Sequence, residues 1–247
     1  MYPHEYASLQ VSSEVGDHVL VVELDHGKAN EMGTTELDDW ERLSDTLENG
    51  PTRVLITFSG RRSKKGVPIF IAGANVTERA EWTDARVRKH VRRQRAVLDR
   101  LRRAPVFHIV VVDGVALGWG TEFLITADYR ISTSNASYAL PETGLGILPG
   151  AGGTSELWSL IGVPQTLRLG MSGERIRSEE ALRIGLVQEH ADNLEQGLSR
   201  ARALAAEVAR RSPTALSAFK RGVLASVGRD SATRSEIEAT AYEHCVS

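Results

Sequence analysis

A single cysteine, Cys245, stands among 247 residues, which excludes an internal disulfide and any metal cage built from thiolates. Long hydrophobic runs are also missing: no window approaches ~18 uncharged apolar residues, so no membrane span is predicted. The segment from Met1 to Glu5 has no basic stretch followed by an apolar one, so no secretion signal is expected, and a reducing cytoplasm is the expected compartment. Neither sign of charge dominates. Thirty Lys and Arg face 32 Asp and Glu, a net charge of -2, so the molecule as a whole has no pull toward nucleic acid or acidic membranes. Seven scattered histidines form no ligand cluster, and no metal is expected. Walker and HExxH motifs are absent, and Gly170, Met171, Ser172 and Gly173 miss the spacing of a serine-hydrolase elbow. Gly144, Gly146 and Gly150 are spaced GxGxxxG with Pro149 between them, which is not the dinucleotide fingerprint.

What is present is an alternation of short apolar strands and amphipathic helices. Val19–Leu24, Val54–Phe58, residues 68–71 and Phe107–Val112 are β-branched runs with little polar alternation, as expected of strands covered on both faces. Residues 35–48 and 84–103 have helical spacing, the second with Val87, Val91, Leu98 and Leu101 on one side. This predicts an α/β fold with a wound sheet. Residues 154–187 read as short helical segments broken by glycine, 193–211 as a long alanine-rich helix, and 214–226 as another helix with Pro213 at its first turn. The expected division is a core over residues 1–195 and a helical region over 196–247.

Two glutamates stand out. Glu122 follows Gly118, Trp119, Gly120 and Thr121 and precedes Phe123, Leu124 and Ile125; Glu142 follows Pro141 and leads to the glycines at 150, 152 and 153. A carboxylate among apolar neighbours is costly to bury unless it is paired or used. Arg130 is a basic residue that would pair with Glu122 in a purely structural arrangement. Near the end of the 68–71 strand, Ala72, Gly73, Ala74 and Asn75 form a small-residue turn before a helical stretch, and Gly118–Gly120 form a second turn after the Phe107–Val112 strand. Such turns leave backbone N–H groups free and let a substrate approach closely. Two converging amides make an oxyanion hole, and with two carboxylates they suggest chemistry next to a carbonyl.

The chain resembles the crotonase, or enoyl-CoA hydratase/isomerase, superfamily. The matching pieces are Lys28, Ala29 and Asn30; Ile71 to Asn75; Ala104, Pro105 and Val106; Asp113 to Glu122; Ala127 to Arg130; Pro141 and Glu142 with Gly146 to Thr154; Ser172, Gly173 and Glu174; and Gly185, Leu186 and Val187. They occur in the family's order, with similar spacing, over much of the chain.

The resemblance implies an α/β spiral of ββα turns with a helical C-terminal region used for trimerisation, the trimers often paired into hexamers. It assigns the oxyanion amides to Ala74 and Trp119, and catalysis to Glu122 and Glu142. Around one water, one carboxylate takes a proton as the water attacks C3 of a 2-enoyl-CoA, and the other carboxyl delivers a proton to C2. Substrate and CoA contacts fall on Lys28, Ala29, Ala72, Gly73, Asn75, Gly118 and Gly150, with Gly150 expected to open a helix whose dipole favours negative charge. Coenzyme A enters as part of the substrate, and no permanent cofactor is implied. Alternatives within the fold are double-bond isomerisation and carbon-carbon hydrolysis of a diketone.

Three positions depart from the pattern. Asn75 stands where relatives usually have aspartate, Trp119 replaces a glycine, and the sequence ends at Ser247 where relatives usually continue with a further helix over CoA. Residues 86–103 also carry nine Lys and Arg against Asp99 alone, and Arg61, Arg62, Lys64 and Lys65 form a second basic patch. Phosphate neutralisation by such a stripe suits RNA, yet no aromatics interleave to stack bases, so a solvated helix face is the expected reading.

Overall fold

The computed structural model describes residues 5–246. The start of the segment read for a secretion signal, residues 1–4, and Ser247 lie outside the described residues.

The β-branched runs Val19–Leu24, Val54–Phe58 and Phe107–Val112 enter one six-stranded sheet, and the run at 68–71 supplies a strand of a smaller one. An antiparallel pair, β1 (Leu9–Glu14) and β2 (Val19–Leu24), is followed by α1 (Thr34–Asn49). Three ββα turns follow. In the first, β3 (Val54–Phe58) and β4 (Ile69–Ile71) lead to α2 (Val76–Arg79) and α3 (Asp84–Arg103). The second contains β5 (Phe107–Val112), β6 (Val115–Leu117) and α4 (Trp119–Phe123). The third contains β7 (Tyr129–Thr133), β8 (Ser137–Ala139) and α5 (Trp158–Ser172). The chain closes with β9 (Ile176–Arg177), α6 (Ser178–Arg183), β10 (Glu189–Ala191), α7 (Leu194–Val208), α8 (Pro213–Ser226) and α9 (Ser231–Val246). The first strand of each turn joins the large sheet, order β1-β2-β3-β5-β7-β10, and the second joins a small one, order β4-β6-β8-β9.

The period of two along the strands separates two cores. Leu20, Val22, Leu55, Val110 and Val112 pack with Leu37, Trp40 and Leu43 of α1 and with Val97, Leu98 and Leu101 of α3. The alternate residues Val19, Val21, Val54, Ile56, Ile109 and Val111 pack with Ala201 and Ala205 of α7. The helical region expected from residue 196 therefore begins with a helix that covers the large sheet. Small residues allow it to lie close: a Cβ built on Gly197 would stand 2.7 Å from Val111 Cγ1. Gly197→Ala is expected to be destabilising, because overpacking costs roughly 1–3 kcal/mol and alanine's better helix propensity returns only about 1 kcal/mol. A urea midpoint equal to or above wild type would contradict this contact.

Within α8 and α9, Ala218 alone is buried, while Phe219 and Tyr242 are 74% and 71% exposed. The arginines of α3 are largely paired inside the molecule. Arg93 binds Asp38 and Glu41, Arg100 binds Asp45 and Glu48, and Arg95 and Arg102 share Glu156. In the second patch Arg61 meets Asp25, and Arg62 lies 3.7 Å from Asp113.

Candidate active site

Three adjacent parallel strands of the small sheet, β4, β6 and β8, each deliver one part of the site just past their C-terminal ends. After β4 the chain turns through residues 72–75, with Gly73 at φ +107°. This turn is laced to the segment after β2: the Ala72 N–H donates to Ala29 O, Met32 N–H to Gly73 O and Asn75 N–H to Met32 O, at 2.8–3.0 Å. The Ala74 N–H donates to no backbone acceptor among the described residues. Asn75 Oδ1 accepts from Glu78 N–H and caps α2, so the structural hydrogen bond is kept without the charge of an aspartate.

After β6, Gly118 takes φ +51° and ψ -117° and donates its N–H to Ala139 O at the end of β8. Trp119 is the first residue of α4, so its N–H has no acceptor within the helix. The two turns abut: a Cβ on Gly120 would meet Ile71 O at 2.4 Å. Thr121 Oγ1 donates to Ala116 O and Ala139 O and ties α4 to both strands. The Trp119 indole is buried, stacked on Phe123 with ring centroids 5.6 Å apart, and its Nε1–H donates at 3.2 Å to the Gln94 side-chain oxygen, in the amide orientation that satisfies both groups.

Glu122, one turn further, is 3% exposed. Its Oε1 accepts two backbone N–H groups, from Ala151 at 2.7 Å and Gly153 at 2.8 Å. Burial pushes its pKa up to about 7 and the charge of Glu142 adds to the rise, while the two amides and Arg95 oppose it. Glu142 lies in a short 3-10 turn after β8, beside Gly118; its pKa is also raised by burial, and its Oε2 is buried with no hydrogen-bond partner. The pairing of Glu122 with Arg130 is not found. That guanidinium donates instead to the carbonyls of Leu124, Ala127 and Leu186.

The expectation for Gly150 needs correction. Regular helix begins at Trp158, and residues 150–157 run through successive turns because Gly152, at φ +133°, interrupts helical geometry. Within this segment the Ala151 and Gly153 amides hold Glu122. Gly150 lies against α3, where its Cβ would be 3.1 Å from Val91 Cγ1. Lys28 is exposed on the turn before Ala29. Sequence reasoning missed Ala151, Gly153 and Gln94; the glycine run at 150–153 was the only local signal for the first two. Among the described residues no group of three His, Cys, Asp or Glu side chains could hold a metal ion, and no helix is long and apolar enough to cross a membrane.

A buried carboxyl with a pKa near neutrality, a second acid in reach of its field and two free amides are an arrangement capable of proton transfer beside a carbonyl. The enoyl-CoA hydratase/isomerase family model matches residues 16–247, and the chain belongs to that family. It is 31% identical over 230 residues to the short-chain-enoyl-CoA hydratase of Clostridium acetobutylicum, spanning 93% of this chain and 86% of that protein. A putative enoyl-CoA hydratase/isomerase of Bacillus subtilis, YngF, is 34% identical over 93% of this chain and 87% of its own length. Among solved structures, an enoyl-CoA hydratase from Bacillus anthracis superposes with a TM-score of 0.89 at 31% identity, covering 97% of this chain and 91% of that one.

Proposed function

We propose that this chain hydrates 2-enoyl-CoA thioesters through Glu122 and Glu142, with the Ala74 and Trp119 amides holding the thioester oxygen. The observation that carries the reading is that Glu142 lies against Gly118 of one free-amide turn and within electrostatic reach of Glu122, which the helix opening at that turn carries. Isomerisation needs only one acid, and filled positions at both 122 and 142 favour hydration.

The hydrogen bonds suggest how the work divides. Two amide donors favour the carboxylate form of Glu122, which takes the proton of the attacking water. Glu142 Oε2, buried without a donor, suits a protonated carboxyl that delivers to C2. The amides stabilise the enolate between these steps. Ala29, Ala72, Gly73, Asn75 and Gly118 frame the approach of the thioester, with Lys28 and Gly150 at its margin. The exposed apolar side chains of α8 and α9 support assembly into a trimer or a pair of trimers through the helical region after residue 195. The single cysteine supports a reducing cytoplasm, and the internally paired arginines of α3 support the solvated-face reading over an RNA-binding one.

The test is the loss of enoyl absorbance with crotonyl-CoA and with glutaconyl-CoA, 2-enoyl thioesters ending in a methyl group and a carboxylate; a pure protein active on neither sinks the reading. Activity is expected to fall at acid pH with a midpoint near 7, because Glu122 must be ionised and its pKa is about 7. A midpoint near the ordinary carboxylate range in wild type would contradict the buried state of Glu122.

A further inference from the structure

Beside Trp119 lies a group of buried polar side chains to which the hydration chemistry gives no role. Arg79 is in α2, five residues beyond the Ala74 amide, and is partly buried. Its Nη2 donates to the Gln94 side-chain oxygen at 2.7 Å, the same oxygen that accepts the Trp119 indole. Its Nε is buried with no acceptor, and the guanidinium forms no ion pair with the described residues. One turn before Gln94 on α3, His90 is 7% exposed, edge-on to Trp82, with Nε2 buried and unpartnered. Burial and the nearby charge of Arg79 push the His90 pKa down to about 4, so the ring is neutral and keeps one N–H.

Buried donors without acceptors are uncommon and costly, and a half-buried guanidinium with no carboxylate in direct contact is more so. On neighbouring α3 the usual solution is seen at Arg93, Arg95, Arg100 and Arg102, which all have carboxylates. Arg79 has no carboxylate within ion-pair distance among the described residues and feels only the field of Glu78, next to the residue whose amide is proposed for the thioester oxygen. Arg79 follows Ala74 by five residues and shares the Gln94 oxygen with the Trp119 indole, so its guanidinium stands near both residues proposed to hold the thioester oxygen.

We propose that the acyl group of the substrate ends in a carboxylate, received by Arg79 Nε with the His90 ring N–H as second donor. Gln94 is then a positioning residue that holds the guanidinium and the indole in one arrangement. This rests on the thioester reading above, and its test is separable from the chemistry. Calorimetric titration of the full chain with glutaryl-CoA and valeryl-CoA compares two saturated thioesters that differ in a terminal carboxylate against a methyl group, and neither has a double bond to hydrate. Glutaryl-CoA is expected to bind at least about tenfold tighter, as a charge-assisted bond in a partly desolvated site allows, and Arg79→Leu is expected to bring the two affinities together. Equal affinities in wild type, or tighter valeryl-CoA, overturn the proposal without any variant, so a failure of Arg79→Leu to fold does not protect it. Equal affinities together with crotonyl-CoA hydration sink this inference alone. A clear glutaryl-CoA preference with hydration of neither crotonyl-CoA nor glutaconyl-CoA supports it and sinks the hydratase reading.

Discussion

Glu142→Gln is expected to lower kcat for crotonyl-CoA by about 10²–10⁴-fold, the range that removing a general acid or base commands, with KM changed little. Glutamine keeps the shape of the side chain beside Gly118 and loses the proton that C2 requires. Glu122→Gln is expected to lose a similar factor, because an amide cannot take the proton of the attacking water. The double variant is expected to be little worse than either single one, since the acids act on one water and their effects do not add. Full activity in Glu142→Gln would remove the two-acid mechanism. The same Glu122 substitution has an opposite consequence for stability. Burial lifts the carboxyl from 4.5 to about 7 in the folded protein. Ionising it therefore costs the folded state about 3 kcal/mol that the unfolded chain does not bear. That cost is absent below the ordinary carboxylate pKa, grows as pH rises and is complete above about 7. Glu122→Gln is thus expected to melt several degrees above wild type near pH ~8 and equally near pH ~4. A variant that is inactive yet more stable at the higher pH alone is a result that simple misfolding cannot mimic.

The second large effect is expected from a methyl group. Gly118→Ala places a Cβ 2.4 Å from Glu142 Oε1 on a backbone with φ +51° and ψ -117°, a region that L residues rarely adopt. The backbone strain costs roughly 1–3 kcal/mol of stability. The larger consequence is chemical, because the atom that must move is the carboxyl oxygen itself, and a displacement of about 1 Å costs on the order of 10²-fold in rate. Gly146→Ala separates the two contributions. Gly146 also has positive φ, +75°, but a Cβ there meets nothing within 4 Å. It is expected to lose some stability and keep its kcat. If both variants lose kcat equally, strain rather than the position of Glu142 is responsible.

Which parts were readable from the chain follows from where their determinants lie. Strands β2, β3 and β5 are continuous β-branched runs with legible bounds, whereas the buried face of α3 is apolar only at Val97, Leu98 and Leu101 and continues through His90 and Gln94, with the expected Val87 and Val91 half-buried beside it. Strands β6, β8, β9 and β10 have only two or three residues each, too few to show a period, and β4 was legible only as part of a longer apolar run. Glu122 and Glu142 could be picked out because acids beside apolar residues and glycines are unusual. Their holders could not, since the Ala151 and Gly153 contributions are main-chain amides that leave no side-chain trace. The fate of the Trp119 indole was hidden for another reason: its partner Gln94 lies on α3, 25 positions earlier, and only the folded chain brings them together.

The placement of the site at the ends of β4, β6 and β8 has an evolutionary corollary. A parallel ladder is locked by hydrogen bonds that do not depend on which side chains the strands carry, and neighbouring strands stay about 4.8 Å apart whatever those are. The proposed oxyanion donors and the holders of Glu122 are likewise peptide groups. The reacting geometry is therefore inherited through the main chain, and sequence can drift widely beneath it. This accounts for how 31% identity coexists with a TM-score of 0.89. It also locates where substrate preference is free to diverge, in the side chains that α2 and α3 lean over the turns, where exchange of a single residue alters what is admitted without shifting the strands that align the thioester.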